Sequence, residues 1–139
     1  MHISSRDRTV IWSCVVVALL ASLGGSLWNL YERIWWFDEV LHAFTTFTLT
    51  LLLAVFLYGT VLQGAQTRPI LFVLTVAGLG LAVGALWEIA EWIYDQLVAG
   101  NAILGKRDTM IDMGMDAIGA VIAGIISTGI LKKDSGRPS

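Results

Sequence analysis

The chain has 139 residues, of which 56% are hydrophobic and only 14% charged, with a mean hydropathy of +0.73. Soluble domains carry roughly a quarter charged residues, so this composition excludes an ordinary soluble domain and a disordered chain. The net charge of −2, from 9 basic and 11 acidic residues, leaves no basic field for nucleic acid, and the single cysteine, Cys14, excludes an intrachain disulfide.

Four apolar runs follow in chain order, at residues 9–31, 40–62, 70–93 and 110–131. Each reaches the ~20 residues that cross a ~30 Å hydrocarbon core. In lipid an unpaired backbone group has no partner, so each run is expected as a helix. The first run has Arg6 and Arg8 before it and small residues at Ala21 and Gly24, as a signal peptide would. It continues past those residues, which favours a spanning helix. The links are short. Residues 32–39 carry Trp35, Trp36 and Phe37, which suit a membrane interface. Residues 63–69 end on Thr67 and Pro69, a helix-start pair. Residues 95–108 contain Gly100, Asn101 and Gly105, and the tail 134–139 is polar. The expected fold is all-α: one transmembrane domain over 1–139, an up-down four-helix bundle.

Basic residues orient it. Arg6, Arg8, Arg68, Lys132, Lys133 and Arg137 fall at one end, and Arg33, Lys106 and Arg107 at the other. The excess places both termini in the cytoplasm, in a cell (inner) membrane. On that topology the outer links and outer helix ends hold Glu32, Asp38, Glu39, Glu88, Glu91, Asp95, Asp108, Asp112 and Asp116, and Trp28, Trp35, Trp36, Trp87 and Trp92 lie at the same level. Position in outer links accounts for Glu32 and Glu39, but not for acids inside apolar runs. At 1.5 Å per residue Asp116 stands roughly 22 Å above Leu131, several Å inside the core edge, and Glu88 roughly 27 Å above Ile70.

Spacing puts these groups on shared faces. Asp38 and His42 are four apart. Glu88, Glu91 and Asp95 follow at i, i+3 and i+7, and Asp108, Asp112 and Asp116 at i, i+4 and i+8. Carboxylates this close repel unless a proton, a base or a metal ion stands between them. The set of Asp38, His42, Glu88, Glu91, Asp112 and Asp116 is therefore a candidate divalent-metal site. Asp95 and Asp108, one turn further out, are expected outside its ligand set. Oxygen-rich ligation with one imidazole suits Mn, Fe or Zn ahead of Mg or Ca. Two other readings stay open: a structural hydrogen-bond network with Thr45 and Thr46, and a proton or ion relay.

Gly80 and Gly84 form a GxxxG step, and Gly119, Ala120, Ala123, Gly124 and Ser127 are small. Packing inside the bundle is their expected use, ahead of dimerisation. Asn29 either donates to the acidic cluster or caps a helix. Cys14 lies at the end opposite His42, so no nucleophile–base pair is available to it.

The ordered segments FDEVLH (37–42), ALWEIAEW (85–92) and DTMIDMGMDAIGA (108–120) resemble the YjdF-like bacterial inner-membrane proteins, a family of unknown function. The resemblance covers residues 37–120. It implies a polytopic membrane protein with polar residues at Asp38, His42, Glu88, Glu91, Asp112 and Asp116, and no reaction. The functional expectation is a metal-binding membrane protein, either a metal-dependent hydrolase or oxidase or a non-catalytic subunit or scaffold. Its partners are the lipid bilayer and a homo-oligomer or larger membrane complex.

Overall fold

The computed structural model describes residues 5–57, 68–98, 102–103 and 105–135, with side chains through Leu131. The 63–67 link, Gly100, Asn101, the end of the second apolar run and residues 136–139 lie outside the described residues. The elements are α1 (Ser5–Leu27), α2 (Leu30–Arg33), α3 (Phe37–Leu57), α4 (Pro69–Val98) and α5 (Lys106–Ser135). No strand occurs among the described residues.

The helix ends differ from the apolar runs for local reasons. The first run breaks after Leu27 because Asn29 takes a left-handed conformation, φ 51 and ψ 42, which Asn tolerates better than other side chains. The four-residue α2 then forms a separate turn. α3 begins at Phe37, so Asp38 and Glu39 lie in its first turn rather than in a link, where their charge suits the helix dipole. α4 starts on Pro69, whose missing N–H costs nothing in a first turn. α5 begins directly after Gly105, which has φ 135.

Four of these helices, α1, α3, α4 and the 106–131 part of α5, are long and apolar enough to cross a membrane. α5 lies against both α3 and α4, α3 also touches α4, and α1 packs on α3. The first half of α3, the second half of α4 and the first half of α5 meet at one end, as the His42, Glu88 and Asp116 contacts require. Consecutive spans therefore run in opposite directions.

Close approach depends on the small residues. A Cβ on Gly80 would run into Thr50 and Ala120, and one on Gly119 into the Ala43 carbonyl. Gly124 abuts the Val73 backbone. These contacts lie within the bundle, and they let backbones approach where lipid offers no hydrophobic drive for association. At the far end, Ala54, Phe72, Val76 and Leu131 form an apolar cluster. Outside, large side chains such as Leu20, Phe56, Leu74 and Ile118 stand exposed. On a soluble protein this surface would be anomalous. On spanning helices it is the face that meets lipid, and the chain is a multi-pass helical membrane protein.

Candidate metal centre

His42 sits on the second turn of α3, buried, between two pairs of carboxylates. Its Nδ1 lies 3.4 Å from Asp116 Oδ1 and 3.8 Å from Glu88 Oε1. Its Nε2 lies 3.8 Å from Asp38 Oδ1. Two groups of ligand atoms result, each mutually within 4.8 Å: His42, Glu88 and Asp116, and Asp38, His42 and Asp112. The first group is deeply buried, with His42 7%, Glu88 6% and Asp116 1% exposed. In the second, Asp112 is 3% exposed but Asp38 is open to 35%.

Local sequence explains the convergence. Asp112 and Asp116 are one turn apart and share the face of α5 that enters the bundle. Opposite Asp116, α4 has Gly84; a side chain there would occupy the space of the Asp116 carboxylate. Glu88, one turn beyond Gly84, comes to the same face of α4. Asp38 and His42 share one stripe on α3.

The hydrogen bonds are incomplete. Thr46 Oγ1 donates to Asp116 Oδ1 at 2.5 Å, and the Thr109 hydroxyl donates to Glu88. Glu88 Oε1 and Asp116 Oδ2 are buried and accept no hydrogen bond. The Thr45 hydroxyl, offered by the sequence as a network member, is also buried without a partner. An unpaired polar atom in a buried site carries a desolvation cost of roughly 1–3 kcal/mol, more when charged. Two such oxygens facing one imidazole form a site that side chains alone do not close.

Of the six residues read from the sequence, five enter the two groups. Glu91 does not. It lies half-buried on α4, and Trp87 Nε1 donates to its Oε1 at 2.8 Å. Asp95 also has another use, accepting the Ala102 and Ile103 amides at 2.7 and 2.9 Å and so holding the chain that leads into α5. Asn29 is exposed, and its side chain makes no cap bond. Glu39, expected in an exposed link, is half-buried with Oε2 enclosed and unpaired. Thr109 was not foreseen, although it falls at i, i+3 and i+7 with Asp112 and Asp116. Tyr31 on α2 lies above the site, edge-on to Phe37 at 5.2 Å. Burial, then the charges of Asp38 and Glu91, push its phenol above the usual 10.0, so it stands as a neutral hydroxyl.

The chain has a relative in Thermotoga maritima, described as an uncharacterized protein, which is 30% identical over 139 residues, covering 98% of this chain and 67% of that one. No solved structure matches. The family described as predicted membrane protein (DUF2238) matches residues 5–133, and the chain belongs to it.

Proposed function

We propose that this membrane protein holds one divalent cation between His42 Nδ1, Glu88 and Asp116, at the outward end of the bundle. The observation that carries the reading is the pair of buried carboxylate oxygens, Glu88 Oε1 and Asp116 Oδ2, with no hydrogen-bond partner beside an imidazole nitrogen. Two carboxylates and a neutral imidazole balance a divalent charge, and buried charges in membrane helices persist where such a partner stands between them. A purely structural network is disfavoured, because it would satisfy those oxygens. The donor set suits Mn, Fe or Zn.

Asp38 and Asp112 support the same reading from the other side of the ring. A neutral imidazole that ligates through Nδ1 carries its proton on Nε2, and Asp38 is the acceptor nearest that nitrogen. Metal-bound histidines are commonly oriented in this way by a carboxylate. Thr46 and Thr109 hold the two ligand carboxylates in place. A bound cation supplies Lewis acidity and charge stabilisation to a group that reaches it. Three protein ligands leave room for such a group, which favours a hydrolytic or transfer function over a closed structural site.

Protein purified without chelator and analysed for metals tests the proposal. One equivalent of divalent metal per chain is expected, lost in Glu88→Gln and His42→Ala and retained in exposed Glu32→Gln. Folded wild-type protein that stays at background metal after incubation with Mn, Fe or Zn would overturn it.

A further inference from the structure

The carboxylates around His42 outnumber the positive charge that the chain brings to them. Asp38, Glu88, Asp112 and Asp116 all place a ligand atom beside this imidazole, which even when protonated supplies one positive charge against four negative ones. Among the described residues, no lysine or arginine forms an ion pair with any of the four. A divalent cation at Glu88 and Asp116 still leaves Asp38 and Asp112 over, and without that cation the excess is larger. Buried charge left uncompensated is costly, and most of all at membrane depth.

Asp112 is the decisive group. It is 3% exposed, and its carboxylate makes no hydrogen bond among the described residues. Thr46 serves Asp116 and Thr109 serves Glu88, but no hydroxyl serves Asp112. The charged groups that bear on it are His42, Asp38, Asp108 and Glu88, so three of the four are acids. Asp38, His42 and Asp112 offer ligand atoms mutually within 4.8 Å. Asp38 turns Oδ1 to His42 Nε2 at 3.8 Å and is open to 35%, which leaves it a second oxygen and gives water access to this side of the site.

We propose that a second divalent cation lies between Asp38 and Asp112, outward of His42, with water completing its shell. Carboxylates and water are the ligands of a hard cation such as Mg, Ca or Mn. Two divalent cations and a neutral imidazole then balance the four carboxylates. With two protein ligands and an opening to solvent, the outer cation is the weaker and exchanges freely, so the equivalent kept through purification is the inner one. The outer site goes beyond the inner one and does not need it to be filled.

Titration of Mn(II) into the purified full chain in detergent micelles, with free Mn(II) counted by electron paramagnetic resonance, tests the proposal. The wild type should take up two equivalents, the second more weakly. Asp112→Asn should lose the weaker equivalent and keep the tighter, and Glu88→Gln should do the reverse. Circular dichroism checks folding; Asp38→Asn, at a partly exposed position, should also lose the weaker equivalent and stands in if Asp112→Asn does not fold. Wild type that saturates at one equivalent, lost in Glu88→Gln, would overturn the outer cation and leave a proton to neutralise Asp112. Two equivalents unchanged in both aspartate variants would overturn it as well. A single equivalent lost in Asp112→Asn but kept in Glu88→Gln would support the outer cation and sink the inner one.

Discussion

The two ends of the bundle are built on opposite rules. At one end Ala54, Phe72, Val76 and Leu131 fill the space between α3, α4 and α5 with apolar side chains. At the other, the same three helices enclose His42, Glu88, Asp112 and Asp116 at single-figure exposure. In a bilayer the apolar end gains only packing, because lipid is as apolar as the cluster itself. The polar end costs free energy to assemble, and buried ionisable groups in membrane helices mark function. Gly84 expresses the contrast: α4 gives up a side chain there to admit a carboxylate from α5. A fold needing only stability would fill that position as it fills the far end.

The largest expected effect is at the ligands. Glu88→Gln keeps shape and removes one charge, and it should abolish metal retention while the detergent-solubilised protein stays folded by circular dichroism. Gly84→Leu comes next. Its side chain has no room beside Asp116, and the overpacking should cost about 3 kcal/mol, seen as a lower melting temperature than in Leu53→Ala, whose site is half-buried. Thr46→Val removes the donor to Asp116. Loss of such an outer contact lowers metal affinity about tenfold, which competition with a fluorescent chelator would measure. The smallest effect belongs to the apolar end. Phe72→Leu should cost about 1 kcal/mol of stability and leave metal affinity unchanged. A shift in affinity there would mean that the two ends are coupled and the contrast is false.

Much of this was legible in the residues. Apolar length marked the four spans, and i, i+4 spacing put Asp38 with His42 and Asp112 with Asp116. The helix break at Asn29 was not legible, because Leu30 and Tyr31 continue the apolar run beyond it and only the left-handed backbone reveals the turn. Glu91 lies outside the two groups although i+3 from Glu88 reads as one face; the Trp87 indole, one turn earlier, donates to its Oε1. Glu39 misled because a charged residue beside tryptophans reads as link, while the helix already begins at Phe37. Thr109 went unseen because membrane helices often carry threonines bonded to their own backbone, as Thr48 is here. Its donation to Glu88 needs α4 in place. The two open oxygens could not be read at all, since satisfaction is a property of the assembled site.

The cation proposed between His42 and the buried carboxylates underlies the expectations for Glu88 and Thr46 at the polar end of the bundle. Pulsed electron paramagnetic resonance on protein loaded with Mn(II) tests it most directly. A bound manganese signal modulated by one imidazole nitrogen is expected, with the modulation absent in His42→Gln. A bound signal without nitrogen modulation, or one identical in His42→Gln, would place the metal elsewhere and rule out His42 as its ligand.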